Sequence, residues 1–318
     1  MEEKDLYRVY SVYLKNKYGE KVYKLPINLP ITCPNRDGTV GYGGCIFCGE
    51  VGAGFESLSN VLSVRDQILT NKAYIKKKYK ANKFIAYFQN FTNTYMDISS
   101  FKKNITEAIL EDIVEIDIST RPDCISDKYL EFLKKIKDDY GVNVTIELGL
   151  QTVNYHTLKK INRGHTLAEF IDSVIRIKSF GFEVCAHLIL NLPWDTMDDV
   201  IENAKILSAL SVDQVKLHSL YIVENTPLAK LYKEGRIQII SKDEYIFRVI
   251  NFLEYLKSDI VVQRLIGRAP EENTIFVNWN TSWWKVKEEI INKMIELKTF
   301  QGKKCSYLNG SALKKFKG

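Results

Sequence analysis

Cysteine and histidine are scarce in this 318-residue chain, at six and four. So few cysteines over such a length exclude a disulfide-built scaffold, and any thiol chemistry then belongs in a reduced, cytosolic setting. Long hydrophobic runs are missing too. No stretch is apolar for the ~20 residues that a membrane helix needs, and the opening MEEKDLYRVYSVYLKNKYGEK is charged throughout, without the apolar centre of a secretory signal. These absences predict a cytoplasmic protein with no membrane partner. No G-x-G-x-x-G follows the first strand-like run, which weakens a dinucleotide-binding reading. Neither sign of charge dominates: the net +6 is compatible with nucleic acid and does not argue for it. We find no internal repeat and no low-complexity tract.

What is present is alternation. Strand-like runs lie near 22–32 and at KFIAYF (83–88), IVEIDIS (113–119), VTIELGLQ (144–151), FEVCAHLIL (182–190) and VDQVKLHSL (212–220). Helical patterns near 98–110, 126–140, 154–160, 166–180 and 196–210 separate them. Strands that are apolar at consecutive positions are buried on both faces, which predicts a parallel sheet covered by helices. Six β-then-α units make either a doubly wound sheet or a barrel. From about 221 the rhythm breaks, with helices near 227–234, 241–257 and 282–299 and a strand IVVQRLI (260–266). The expected organisation is an N-terminal segment 1–21, an α/β unit 22–220 and a C-terminal α/β extension 221–318.

Half of the cysteines crowd into ITCPNRDGTVGYGGCIFCGE (31–50), where Cys33, Cys45 and Cys48 are spaced C-x11-C-x2-C. The knuckle at 45–48 lets two thiolates grip one centre, and four glycines between 38 and 44 let the backbone fold around a bulky inorganic group. Soft thiolates suit zinc or an iron–sulfur cluster. A zinc knuckle would need a distant fourth ligand, and no histidine lies near this loop. A [4Fe–4S] cluster with three protein ligands would instead keep one iron open for a small molecule. Among the other cysteines, Cys185 sits mid-strand as a small core residue. Cys305 lies in the tail, with nothing paired to it by spacing. Cys124, at a strand's C-terminal end, reads either as inert packing or as a hydrogen donor within reach of a substrate.

The loop, with Phe47 just before Cys48, resembles that of radical S-adenosylmethionine (SAM) enzymes. The C-x11-C-x2-C spacing departs from the commonest C-x3-C-x2-C and resembles the branch containing the catalytic subunit of elongator. The likeness to the YhcC/YtqA-type family is stronger and covers nearly the whole chain, through CPNRDGTVGYGGCIFC, YFQNFTNTY, STRPDC, ELGLQTVNYHTLKKINRGH, HLILNLPWDT, KLHSLYIVENTPLAKLY and QRLIGRAP in that order. The resemblance implies a partial (β/α)6 radical SAM barrel. Its cofactors would be a [4Fe–4S] cluster and SAM, cleaved to a 5′-deoxyadenosyl radical. A reducing electron donor such as flavodoxin or ferredoxin would be a partner.

The resemblance also places Asn93 and Thr94 at the methionyl amino group of SAM, and Arg121, with its planar fork, at the SAM carboxylate. Glu147 or Gln151 would sit near the ribose or methionyl part; Glu147 also reads as half of a buried ion pair with Arg121 or Arg163. HLILNLPWDT carries Trp194 and Asp195 where the family pattern has Gly and Glu, so the local turn differs, and Trp194 is available to pack on a base or substrate. His187 and His218 lie in strands and can face the cavity, whereas His165 reads as structural. The YtqA likeness further implies tRNA maturation, trimming 5-carboxymethylaminomethyluridine at the wobble position to 5-aminomethyluridine. Two acid-poor lysine clusters, around Lys76, Lys77, Lys78 and Lys80 and at Lys303, Lys304, Lys314, Lys315 and Lys317, would hold the tRNA backbone, with Trp279, Trp283 and Trp284 available for stacking. A radical SAM enzyme acting on a small metabolite, or a zinc-stabilised RNA-binding module without catalysis, are the competing readings.

Overall fold

A computed structural model of the chain describes residues 2–49, 57–268, 270 and 273–316. Among the described residues, nine strands run in chain order: β1 (Val22–Ile27), β2 (Lys83–Phe88), β3 (Ile113–Thr120), β4 (Asn143–Gln151), β5 (Glu183–Ile189), β6 (Gln214–His218), β7 (Ile222–Val223), β8 (Val261–Arg264) and β9 (Thr274–Phe276). Seven of them form one parallel sheet in the order β1-β2-β3-β4-β5-β6-β8, and β7 pairs with β9 separately. This is the partial barrel expected. The tail is less of an appendage than its sequence implies, because β8 pairs in parallel with β6 and supplies the seventh strand.

The helices are α1 (Glu3–Leu6), α2 (Tyr10–Tyr18), α3 (Val64–Tyr79), α4 (Ile98–Glu107), α5 (Asp127–Tyr140), α6 (Tyr155–Lys160), α7 (Leu167–Ser179), α8 (Met197–Ala209), α9 (Pro227–Lys233), α10 (Lys242–Tyr255) and α11 (Trp283–Glu296). Local chemistry sets their ends. Asp97 caps α4 by accepting from Ser99 and Ser100 N–H, and Thr166 with Glu169 forms a capping box on α7. Gly141 ends α5 in the left-handed region, at φ +68°. None of the helices described is long and apolar enough to cross a membrane.

The strands divide their two faces sharply. Ile116 and Ile118, Val144, Ile146 and Leu148, Ala186 and Leu188, and Val215 and Leu217 join the main apolar core under the helices. The alternate residues face the barrel interior and are polar: Glu115, Asp117 and Ser119 on β3, Thr145 and Glu147 on β4, His187 on β5, Gln214 and Lys216 on β6. Side chains from α2 close the base of this interior. Tyr13 Oη donates to Glu183 at 2.7 Å, Lys17 reaches Glu115 at 3.0 Å and Glu183 at 2.7 Å, and Tyr18 donates to Glu115. Val9 also forms a parallel bridge to Val262 of β8, so the N-terminal segment is built into the barrel. With the base shut, access is from the carboxyl ends of the strands, where such sheets bind ligands.

Topology also places the lysine run. The helix between two parallel strands ends at the amino end of the next strand, so Lys76–Lys80, at the C-terminus of α3 just before β2, lie at the base, opposite the loops that follow the strands. Lys72 and Lys76 pair with Asp112, and Lys83 with Glu20 at 3.6 Å. Lys317 and the side chains of Lys314 and Lys315 lie outside the described residues.

Candidate active site

The segment after β1 turns back on itself before reaching the second apolar cluster. Val40 N–H donates to Pro34 O at 2.8 Å and Gly44 N–H to Asn35 O at 2.7 Å. Gly43 and Gly44 lie in the left-handed region, at φ +74° and +79°. A Cβ on Gly41 would meet Asn35 Oδ1 at 2.5 Å, so a larger residue would displace the Asn35 side chain. Ile46 N–H donates to Ile161 O, and Leu228 N–H to Ile46 O, both at 3.0 Å. Ile46, Phe47 and Trp194 pack on the cluster of Leu158, Ile161, Ile189, Leu192, Leu220 and Leu228. Trp194 therefore supports the cysteine loop from beneath, and it does so without a positive φ.

Cys33, Cys45 and Cys48 face a cavity of about 220 Å³ at the carboxyl ends of the strands. Each sulfur has its own cationic neighbour: Arg36 Nη2 lies 3.1 Å from Cys48, Arg163 Nη1 3.5 Å from Cys45 and Arg121 Nη1 4.0 Å from Cys33. Asn35 Nδ2 adds a contact to Cys45 at 3.7 Å. Burial pushes the Cys48 thiol up, and Arg36 pulls it down. Thiolates need such donors, and hydrogen bonds to sulfur tune an iron–sulfur cluster. Tetrahedral zinc at Zn–S of ~2.3 Å would bring its sulfurs to about 3.8 Å from one another. Among the described residues, the group whose ligating atoms all lie within 4.8 Å of one another is Glu147, Cys185 and His187; the three loop thiols do not form such a group. Gly149 completes the cradle. A Cβ there would lie 2.7 Å from Arg163 Nη2, the side chain that reaches Cys45.

Behind the sulfurs, Glu147 is the hub of the interior. It is 0% exposed and accepts from Lys24 Nζ at 2.5 Å, Lys216 Nζ at 3.0 Å, His187 Nε2 at 2.9 Å, Gln263 Nε2 at 3.0 Å and Ser119 Oγ at 3.2 Å. Burial alone would raise its carboxyl; Lys216, Lys24 and His187 together hold it well below the usual range. Burial lowers Lys216 to about 8 against the opposing pull of Glu147, and its Nζ also meets Tyr87 Oη at 2.8 Å. His187 is lowered to about 4 by burial and stays neutral. With five donors already on the Glu147 carboxylate, the Glu147–Cys185–His187 group is a hydrogen-bonded network rather than a metal site.

Comparison with known proteins identifies this arrangement. The Radical SAM superfamily model matches residues 33–207, more than half of the chain, and the Radical_SAM C-terminal domain model matches residues 212–296. The chain belongs to the radical SAM superfamily. It is 34% identical over 298 residues to the uncharacterized protein YtqA of Bacillus subtilis, covering 93% of this chain and 92% of YtqA. It is 30% identical over 285 residues to YhcC of Escherichia coli, covering 89% and 91%. A shorter likeness, 27% over 172 residues, reaches the tRNA uridine(34) acetyltransferase of Methanocaldococcus jannaschii, over 51% of this chain and 29% of that protein. Among solved structures, archaeal Methanocaldococcus infernus Elp3 shares the fold, with TM-score 0.68 at 18% identity over 88% of this chain and 64% of that one. A radical SAM protein carries a [4Fe–4S] cluster, uses SAM and needs a reductant. The zinc-stabilised, non-catalytic reading falls with this membership.

For a radical SAM site, the residues expected from sequence divide into two groups. Cys33, Cys45, Cys48, Phe47, Arg121, Glu147 and Gln151 line the one cavity. Gln151 does so with φ +77°, at a register shift of β4, a conformation that non-glycine residues adopt at a cost and often at functional sites. Asn93, Thr94 and Cys124 are not among the lining residues. The Asn93 amide donates to Phe88 O, Asn90 O and Ser119 O, and Thr94 bonds Thr120 Oγ1 and Cys124 O, so both hold the turn after β2. Gln89, Phe91 and Thr92 face the cavity in their place. Cys124 opens onto a separate pocket beside Met96 and Tyr129, and burial with the Asp123 charge pushes its thiol up to about 12.

Two pairings differ from expectation. Arg121 presents its fork to Asp123, at 2.8 and 2.7 Å, and gives Nη1 to Arg163 O, so its planar edge is occupied. Glu147 pairs with Lys24 and Lys216, not with Arg121 or Arg163. His187 and His218 face the cavity, and His165 lies outside it, bonded to Gly149 O at 3.1 Å. Sequence reading missed Lys24, Lys216, Tyr87 and Arg264. The signal for them was polar side chains recurring at every second position of otherwise apolar strands.

Proposed function

We propose that this radical SAM enzyme modifies tRNA, trimming the wobble 5-carboxymethylaminomethyluridine to 5-aminomethyluridine. The observation that carries the reading is the sequence likeness to a relative named for uridine 34 of tRNA, extending over 51% of this chain and taken with the near full-length match to YtqA. The cavity mouth supports it. Around the cysteine loop stand exposed Tyr42 and Tyr155, with Lys159 and Lys160 on α6, neither with an acidic partner among the described residues. Asn162, just past α6, donates to Tyr42 O at 3.3 Å and Gly44 O at 2.8 Å, which ties this rim to the loop. Exposed rings beside cations that lack acidic partners, Lys159 over the Tyr155 ring and Lys160 over Trp194, suit single-stranded loop bases and phosphates. The rim takes the role first assigned to Lys76–Lys80, which sit at the wrong end of the barrel.

Cys33, Cys45 and Cys48 would hold the cluster, and Arg36, Arg121 and Arg163 would stabilise their thiolates. When bound, the cluster supplies the electron that cleaves SAM. Phe47, Gln151, Gln89, Phe91 and Thr92 would form the SAM walls. Glu147 contributes indirectly, by fixing Lys216 and His187 in the wall. A flavodoxin or ferredoxin is the expected reductant. Reduced, reconstituted enzyme should convert tRNA bearing 5-carboxymethylaminomethyluridine to 5-aminomethyluridine, read by nucleoside mass spectrometry. Formation of 5′-deoxyadenosine with the nucleoside unchanged would refute the substrate.

A further inference from the structure

The cavity has a marked excess of positive charge. Its lining includes Arg36, Arg121, Arg163, Lys216, Arg264 and Arg268, with Glu147 as the single carboxylate among the described residues. Most of these cations are committed. Arg121 is paired with Asp123, Arg36 and Arg163 meet sulfurs, and Lys216 is bound to Glu147. Arg264 differs. It stands on β8, at the opposite edge of the sheet from β1, and has no acidic partner among the described residues. Its Nη2 donates to His218 Nδ1 at 2.6 Å, while its Nε is buried without any hydrogen-bond partner. A Cβ on Gly267 would lie 3.1 Å from Nη2, so a glycine makes room for the guanidinium. Burial and the Arg264 charge keep His218 well below its ordinary range, as a neutral acceptor that orients the guanidinium without neutralising it.

Arg264 is half-buried at the cavity wall, with no acidic partner among the described residues, and a partly desolvated guanidinium carries a cost that an incoming acceptor removes. Its planar fork matches a carboxylate. We infer that Arg264, oriented by His218, binds a carboxylate carried by the substrate. This rests on the function proposed above and deepens it, because the 5-carboxymethylaminomethyl group ends in a carboxylate that 5-aminomethyluridine lacks. Arg264 is then a specificity residue: it selects the untrimmed side chain and loses its hold on the product.

The test is equilibrium binding to the reconstituted enzyme with SAM and no reductant, so that nothing turns over. Two anticodon stem–loops are compared, alike except for 5-carboxymethylaminomethyluridine or 5-aminomethyluridine at the wobble position. Wild type should bind the carboxylated RNA about 10- to 100-fold more tightly, the worth of a charged hydrogen-bond pair. Arg264→Gln should bind both alike, and Arg264→Lys should recover part of the preference. Thermal melting checks that both variants are folded, and the wild-type preference is readable without either. No preference in wild type, or a preference that survives Arg264→Gln, overturns the inference. So does an equal loss for both RNAs, which would assign the guanidinium to phosphate. A matching fall in SAM affinity would assign it to the SAM carboxylate and overturn it too. Single turnover with reductant separates this from the proposed reaction. Preference without 5-aminomethyluridine formation sinks the reaction and keeps the site, and product without preference does the reverse.

Discussion

Replacing Glu147 by glutamine removes one charge and almost no volume from the centre of the barrel. Lys24 at 2.5 Å keeps Asp117 as an ionic partner, but Lys216 at 3.0 Å loses the carboxylate it is paired with and keeps only neutral partners such as Tyr87. Removing one member of a buried pair typically costs about 3–5 kcal/mol, because an uncompensated charge stays behind. Burial has already lowered Lys216 to about 8, with Glu147 pulling the other way. Without that carboxylate the ammonium sheds its proton more readily. The unfolded chain then binds a proton that the folded variant does not, so the deficit relative to wild type deepens as pH falls below about 8. Urea unfolding of wild type, Glu147→Gln, Lys216→Met and the double variant measures this. The double variant should be more stable than Glu147→Gln alone, since no unpaired ammonium remains. A Glu147→Gln variant within ~0.5 kcal/mol of wild type but with weakened SAM binding would refute the reasoning and make Glu147 a ligand-contacting group.

Acid should destabilise the protein through His187. Its folded pKa of about 4 lies below the ordinary 6.5, so the unfolded chain takes up the proton first. That stability is complete above about pH 6.5, is lost progressively toward pH 4, and is worth up to ~3 kcal/mol; His187→Gln should flatten chemical-denaturation stability over that window. Lys159→Ala with Lys160→Ala should reduce the log–log salt slope of tRNA binding by about 1.4, measured by filter binding. The same change at Lys77 and Lys78, at the base of the barrel, should leave the slope alone, and equal slopes for both pairs would remove the rim from the account. Cys124→Ser should leave 5′-deoxyadenosine formation unchanged by chromatography, because the thiol opens onto another pocket.

The fold was legible because its pattern is local. KFIAYF is β2 to the residue, and the helices expected from 126, 166 and 196 begin within one residue of Asp127, Leu167 and Met197. Position in the barrel was less legible. IVVQRLI reads as a strand, but its place beside β6 depends on a return after more than forty residues, which no local period encodes. Helix α3 was masked by its lysines, which read as a charge run, although Ser63 caps it and Val64, Gln67 and Ile68 are buried on one face. At the site, the cysteine spacing carried its own meaning. Arg121 and Asn93 did not, because a nearby Asp123 and three backbone carbonyls compete for donors that sequence alone leaves open for a ligand. Glu147 was recognisable as an oddity in an apolar strand. Its partners, Lys24 and Lys216, come from β1 and β6, and only the closing of the sheet brings them together.

The most direct test of the account is the iron chemistry of the cysteine loop. Anaerobically reconstituted wild type should be brown and hold about four irons per chain, since three thiolates leave one iron of a four-iron cluster open. Its Mössbauer or EPR spectrum should change when SAM is added, and Cys33→Ala, Cys45→Ala and Cys48→Ala should each lose the cluster. A colourless protein holding one zinc, or a triple variant that keeps its full iron content, would contradict it.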